Sequence, residues 1–156
     1  MSAESSDEER RQRVEQLNLM FREAVPHNRA LGLRLVDIGK DLVRMVLPFD
    51  PKLVGNPETN VLHGGAISAL LDAACGAAVL IAIGAPEQVA TLDLRIDYMQ
   101  PATPPRDVIC EAHCYKVTKN VAFVRALAFH DDPADPIAAA AGSFMRTERR
   151  PRKERA

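Results

Sequence analysis

The chain has 156 residues, of which 47% are hydrophobic, and its 20 basic side chains nearly balance its 21 acidic ones. This length suits a single domain with a continuous apolar core, and the balanced charge argues against nucleic acid or a membrane as a partner. The polar N-terminal segment lacks the apolar run of a secretory signal, and three cysteines cannot all pair in disulfides. A cytoplasmic protein with reduced thiols is therefore expected.

The N-terminal segment predicts one amphipathic helix. Residues 1–8 are rich in Ser, Glu and Asp and are expected to form a disordered N-terminus, with the domain occupying residues 9–147. The apolar residues that then recur at helical spacing, before Pro26 ends the pattern, are Val14, Leu17, Phe21 and Val25.

Residues 31–62 predict a strand hairpin and then a loop. From Leu31 the apolar residues alternate with polar ones or glycine, and a second apolar run, residues 42–47, follows a turn-like Gly-Lys-Asp. Residues 50–62 contain two prolines, a glycine and two asparagines, which is the composition of a loop with specific turns.

Residues 64–84 form a long apolar segment rich in Ala and Leu, sufficient for about five helical turns at ~1.5 Å per residue. A helix that is apolar all round is expected to be buried on most sides. Its length also fits a membrane span of ~20 residues. Asp72 near its centre, the absence of flanking Lys or Arg and the many alanines favour a core helix instead.

The rest of the chain predicts four strands in an antiparallel meander, at residues 89–98, 108–117, 121–129 and 137–145. With the first hairpin this makes about six strands and one long helix, an α+β layout in which the sheet curves around the helix. The tail, residues 148–156, is basic and expected to be disordered.

Asp72 is the first candidate for chemistry, because a carboxyl within an apolar helix costs several kcal/mol unless it is paired, hydrogen-bonded or neutral. One interpretation is structural: Asp72 braces another backbone segment or pairs with an arginine such as Arg95. The other is catalytic, and Gly64 favours it. Gly64 begins the helix, where a free N–H at the positive end of the helix dipole can hold an oxyanion.

Gly64 and Asp72 would supply the two requirements of acyl transfer, an oxyanion donor and a nucleophile or base. They lie about 12 Å apart along one helix at ~1.5 Å per residue, too far to act on one carbonyl. A second subunit is therefore predicted to complete the site, so that the helix start of one protomer faces Asp72 of the other.

The ordered motifs of this sequence resemble the hotdog-fold acyl-CoA thioesterases of the phenylacetic-acid-degradation type, over roughly residues 30–147. These motifs are Asn-Pro at 56–57, LHGGAI at 62–67, LLDAACG at 70–76, TLDLRIDY at 91–98, Pro-Ala at 101–102 and AAG at 140–142. The resemblance implies a hotdog fold, hydrolysis of an aryl or fatty acyl-CoA thioester to acid and CoA, and a homodimer or dimer-of-dimers homotetramer.

The resemblance also implies roles for five residues. Asp72 would be the nucleophile or general base, and the Gly64 N–H the main oxyanion donor. His63 would position the loop and hydrogen-bond the thioester, Asn56 would orient the thioester or the water, and Thr91 would help to hold the attacking water. No metal or redox cofactor is implied, and CoA enters only as part of the substrate.

A second group of residues is assigned to substrate and CoA binding: Gly65, Asn60, Lys119 and Arg146. The segment from Asn56 to His63 is one residue longer than the family pattern, and Asn60 stands where glycine is frequent. Asn tolerates the left-handed backbone conformation, so Asn60 is predicted to replace that glycine. Lys119 and Arg146 could meet the CoA phosphates, although solvated surface charge explains them equally well.

Other interpretations stay open. Cys110, His113 and Cys114 hint at a metal site, but on a strand the two cysteines face one side and the histidine the other, which argues against zinc. A hydratase or dehydratase on the same fold would need a His paired with an acid, and no such pair is evident. A non-catalytic acyl-CoA-binding protein would bind without releasing a thiol.

Overall fold

The structure, a computed structural model, describes residues 3–85 and 87–148. Its helices are α1 (Ala3–Ala24), α2 (Pro26–Ala30) and α3 (Gly64–Ile83). Its strands are β1 (Arg34–Ile38), β2 (Leu42–Leu47), β3 (Val54–Asn56), β4 (Val61–Leu62), β5 (Glu87–Tyr98), β6 (Val108–Val117), β7 (Val121–Phe129) and β8 (Ala138–Glu148). The predicted ends of β6 and β7 are confirmed.

Six of these strands form one antiparallel sheet in the order β1-β2-β6-β7-β8-β5, and β3 and β4 form a separate small hairpin. The sheet covers α3, which packs against β2, β6, β7 and β5, and the core is formed between them. The predicted α+β layout, with six strands around one long helix and an additional N-terminal helix, is confirmed.

The strand order corrects the predicted meander. Of the four strands after α3, only β6, β7 and β8 follow one another in the sheet; β5 pairs with β8 at the outer edge, and β6 pairs with β2. Burial explains this arrangement. The inner side chains of β6 are buried at Val108, Cys110, Ala112 and Cys114, as suits a central strand, whereas most residues of β5 are exposed.

The N-terminal region also differs from its prediction. The helix begins at Ala3, so residues 3–8 are helical instead of disordered. A second helix, α2, starts at Pro26, because proline fits the first position of a helix. Gly32, at φ +70, ends this turn, and the first strand therefore begins at Arg34 and not at Leu31.

The predicted loop of residues 50–62 contains a 3-10 helix, Pro51–Leu53, followed by the β3–β4 hairpin. Asn60 lies between these strands at φ 57, and its N–H donates to the Asn56 carbonyl at 2.8 Å. The prediction that Asn60 takes the left-handed conformation is confirmed.

α3 is long and apolar enough to span a membrane by length and composition alone, with a mean hydropathy of 2.2. Half of its apolar window is buried inside the chain, as in the core helix of a globular fold. The other side of α3 lines a cleft. Although α3 is apolar all round, it is therefore not buried on all sides. Most of the predicted basic tail, residues 149–156, lies outside the described residues.

Candidate active site

The start of α3 is shaped around His63. This residue is the N-cap of the helix, and its Nδ1 accepts a hydrogen bond from the Gly65 N–H at 2.9 Å. A Cβ at position 65 would lie 2.9 Å from that nitrogen, and a Cβ at Gly55 would lie 2.8 Å from the His63 Cα. Two glycines therefore let the imidazole fold back over the helix start and let β3 pass beside it.

The Gly64 N–H follows His63 as the first amide of α3. An amide at this position has no partner within the helix, and none of the hydrogen bonds among residues 3–85 and 87–148 uses it. The helix dipole adds positive potential at the same point. The amide is therefore available to donate to a ligand oxygen.

Asp72 lies two turns along α3, and its Oδ1 accepts a hydrogen bond of 2.7 Å from the Thr91 hydroxyl of β5. A β-bulge directs Thr91 toward the helix: Leu92 is an extra residue between the pairs Thr91–Phe144 and Asp93–Ser143. Within the described part of the chain, Thr91 is the side chain that donates to Asp72. The other carboxylate oxygen is left available for chemistry.

The surroundings of Asp72 differ from those expected for a carboxyl on an apolar helix. Its side chain is exposed in the single chain and opens on a cleft of about 680 Å³ between α3, α1 and β5. The suggested pairing with Arg95 is wrong, since Arg95 binds Asp97 at 3.0 Å. Exposure to this cleft removes the desolvation cost that the sequence implied.

Gly64 and Asp72 do not converge within one chain. Eight residues of α3 separate them, which is about 12 Å along the axis. β5 is the last strand at one edge of the sheet, and the side chain of Leu92 on it is 54% exposed. The two groups could therefore meet only across an interface.

Asn56 ends β3 and is exposed. Its Oδ1 accepts a hydrogen bond from the Glu58 N–H at 3.0 Å, which forms a local turn and leaves its side-chain NH2 free of this bond. Because β3 passes close to His63, Asn56 and the helix start belong to the same side of the molecule.

Lys119 and Arg146 come together at the turn between β6 and β7. Arg146 donates two hydrogen bonds to the Glu87 carboxylate, which hold the pKa of Glu87 below its ordinary value. It donates a third hydrogen bond to the Thr118 carbonyl. Lys119 stays exposed in the turn. The charge of Arg146 is largely matched by Glu87, so Lys119 is the freer cation of the two.

The three thiols lie in the core, with Cys110 and Cys114 on the inner face of β6 and His113 on its outer face, as predicted. Burial, with a contribution from the Asp72 carboxylate, raises the pKa of Cys75 to about 12. Burial also raises the pKa of Cys110 and of Cys114. At neutral pH all three are neutral thiols that fill apolar space.

We expect the native protein to show no rapid reaction of its cysteines with a disulfide reagent such as DTNB at pH 7.5, because reaction needs an accessible thiolate. In guanidinium chloride all three thiols should react. A fast native reaction, followed by the absorbance of the released dye, would contradict the buried placement.

Two residues without a predicted role also contact the helix start. The Tyr98 hydroxyl donates to the Gly64 carbonyl at 2.7 Å, and the Ser68 hydroxyl oxygen lies 3.1 Å from the same carbonyl oxygen. Ser68 lies one turn after Gly64, a spacing visible in the sequence, whereas Tyr98 is 34 residues away along the chain. Only the packing of β5 against α3 brings Tyr98 to the Gly64 carbonyl.

The chain is similar in sequence and in fold to known thioesterases. The family model of the thioesterase superfamily matches residues 59–137. The medium/long-chain acyl-CoA thioesterase YigI of Salmonella typhimurium is 30% identical over 142 residues, which cover 81% of this chain and 88% of YigI. A crystal structure of a Pseudomonas aeruginosa protein is 43% identical, with a TM-score of 0.77 over 86% of this chain and 98% of that one.

The PaaI protein of Escherichia coli, from the phenylacetic acid degradation operon, is 15% identical with a TM-score of 0.75 over 88% of this chain and 96% of PaaI. That likeness concerns the fold alone. The segment matched by the family model includes His63, Gly64, Asp72 and Thr91, while Asn56 precedes it. The chain belongs to the thioesterase superfamily and is a thioester hydrolase.

Proposed function

We propose that this hydrolase cleaves acyl-CoA thioesters to a carboxylic acid and free CoA at a site shared by two protomers. The observation that carries the proposal is the Asp72 carboxylate, oriented by Thr91 and open to an apolar cleft. YigI, which is a medium/long-chain acyl-CoA thioesterase by name, supports the choice of substrate.

In the proposed reaction, Asp72 takes a proton from water as the water oxygen attacks the thioester carbonyl, or attacks that carbonyl directly. Thr91 donates to Oδ1 of Asp72 and can accept a hydrogen bond from the water. The Gly64 N–H of the partner subunit holds the oxyanion, and its His63 supplies a second donor. The carbon–sulfur bond then breaks, and the proton that Asp72 took from water goes to the sulfur, so that CoA leaves as the thiol. After a direct attack the thiolate takes its proton from solvent, and water hydrolyses the anhydride between the acyl group and Asp72 to release the acid and restore the carboxylate. These steps require neither a metal nor a redox cofactor.

The open edge of β5 supports the shared site. A long exposed edge strand presents unpaired backbone groups that readily pair with another strand. Two β5 strands related by a two-fold axis would extend the sheet and place the α3 start of one chain near Asp72 of the other. Leu92 and Met99, both 54% exposed, would then be covered by the partner. Light scattering of the purified protein tests this dimer.

We further propose that the acyl group is a medium or long aliphatic chain. The cleft beside Asp72 has a floor of small or apolar α3 residues and walls from α1, β5 and β8. The floor residues are Ala69, Ala73, Gly76, Ala77 and Leu80, and the apolar wall residues include Phe21, Val25, Val89 and Phe144. From Ala69 to Leu80 the floor extends about 16 Å along the helix at ~1.5 Å per residue, which suits an extended chain.

A larger side chain on the floor of this cleft should therefore make the enzyme prefer substrates with shorter acyl chains. We expect Ala73→Leu to lower kcat/KM for dodecanoyl-CoA by about tenfold or more, since overpacking an apolar pocket costs ~1–3 kcal/mol. Activity on butyryl-CoA should change much less and serves as the internal control. An equal loss for both chain lengths would place the acyl group elsewhere.

Release of CoA thiol from a panel of aryl-CoA, short-chain and long-chain acyl-CoA thioesters tests the function as a whole. Hydrolysis is expected, with preference for the longer aliphatic chains. A hydratase would change the acyl chain without freeing a thiol, and a binding protein would show affinity without product. Either outcome would overturn the proposed reaction.

A further inference from the structure

The hydroxyl groups of Tyr98 and Ser68 meet on one backbone oxygen at the start of α3. The Tyr98 hydroxyl donates to the Gly64 carbonyl at 2.7 Å. The Ser68 hydroxyl oxygen lies 2.7 Å from the Tyr98 hydroxyl oxygen and 3.1 Å from the carbonyl oxygen, so its single proton supports the same acceptor through Tyr98. Tyr98 is the last residue of β5, and its ring lies 3.6 Å from where a Cβ of Gly64 would be. The helix start is thus tied to the strand beside it.

The carbonyl that accepts the Tyr98 hydrogen bond belongs to the same peptide group as the Gly65 N–H. That N–H donates to Nδ1 of His63 at 2.9 Å. Hydrogen bonds to the oxygen of a peptide group polarise its N–H and strengthen the bond that the N–H makes. A continuous path therefore runs from the Tyr98 hydroxyl through one peptide group to the imidazole of His63.

The path determines which ring nitrogen carries the proton. Because Nδ1 accepts a hydrogen bond from Gly65, it bears no hydrogen, and the neutral imidazole then holds its proton at Nε2. An Nε2–H is a hydrogen-bond donor that points away from the helix cap. In this form His63 can donate to a thioester oxygen beside the Gly64 N–H.

We propose that Tyr98 and Ser68 are positioning residues, which hold the Gly64–Gly65 peptide so that His63 keeps its Nε2–H form as the second oxyanion donor. This inference rests on the proposed function, because it gives His63 a part in the same site. Tyr98 does not touch the substrate in this scheme. It acts through the peptide group and the imidazole.

Tyr98→Phe tests the inference, since it removes one hydroxyl and keeps the ring that packs against Gly64. We expect kcat to fall about fivefold, the scale of one hydrogen bond, with little change in KM. Nitrogen-15 NMR of the histidine rings should show a larger share of the Nδ1–H form for His63. A His63→Gln variant identifies the His63 signals among the four histidines.

Matched variants separate this role from simple bracing. Tyr115→Phe changes the other tyrosine of the chain, on the outer face of the sheet, and should leave both kcat and the His63 signals unchanged. Ser68→Ala should shift the His63 signals in the same direction as Tyr98→Phe. The double variant should lose less than the product of the two single losses, because the Ser68 hydroxyl acts through the Tyr98 hydroxyl in one chain of hydrogen bonds.

The NMR measurement needs no substrate, so it stands apart from the question of thioester hydrolysis. If Tyr98→Phe both shifts the tautomer ratio of His63 and reduces kcat, the proposed positioning role of Tyr98 is supported. If the His63 spectrum of Tyr98→Phe is unchanged, the proposed role is overturned. This holds whether the variant keeps its activity or loses activity and stability together. A native protein that releases no thiol would instead overturn the proposed function, while the NMR result would still report on the path.

Discussion

Asp72→Asn is expected to lower kcat for thiol release by at least ~100-fold while the fold and assembly are retained. Asparagine has the same shape and keeps an oxygen that can accept the Thr91 hydroxyl, so the local hydrogen bond of 2.7 Å survives. What it loses is the negative charge that abstracts a proton or attacks carbon. Because Asp72 is exposed to the cleft, stability should change by no more than about 0.5 kcal/mol.

The matched control is Asp41→Asn, which changes an exposed carboxyl at the β1–β2 turn that pairs with His113. It should hydrolyse thioesters at the native rate. Thr91→Val should give an intermediate loss, since it frees the Asp72 side chain without removing its charge. Steady-state kinetics, thermal unfolding and light scattering on all three variants are required. Full activity of a folded Asp72→Asn protein would make Asp72 a structural residue.

Gly64→Pro is expected to reduce kcat by about 100-fold or more, because it removes the one backbone N–H assigned to the oxyanion. Proline fits the first position of a helix, and His63 before it has ψ 132, a conformation that the residue before proline prefers. A Cβ at this position meets Tyr98 only at ordinary contact distance. The backbone can therefore accept proline without rearrangement.

Gly64→Ala is the control, since alanine keeps the N–H and adds only the Cβ. It should retain most of the native kcat. If alanine and proline cause equal losses, the side chain and not the amide would be responsible, and the assignment of the oxyanion donor would be wrong.

Mixing the two inactive proteins tests the shared site directly. After unfolding and refolding together, Asp72→Asn and Gly64→Pro chains should form half of their dimers as heterodimers, each with one intact site. Activity should then recover to about a quarter of the native value. If Asp72 and Gly64 of the same chain formed each site, every site in the mixture would carry a defect, and no activity would return.

The sequence by itself determined the features that depend on neighbours along the chain. The proline-rich segment 101–105, Lys119-Asn120 and the segment 131–135 set the ends of β6 and β7, because turn-forming residues interrupt a strand. The run of Ala and Leu identified α3, and the steric tolerance of asparagine predicted the left-handed Asn60.

Only the tertiary structure decided which elements meet. Periodicity shows that a face is apolar, but it does not show what covers that face; β5 therefore took the edge of the sheet instead of a place in the meander. Asp72 came to face an open cleft, and Arg146 found Glu87 59 residues away along the chain. Tyr98 contacts Gly64 although α3 and β5 lie between them along the chain, because contacts between residues distant in sequence form only when whole elements pack together.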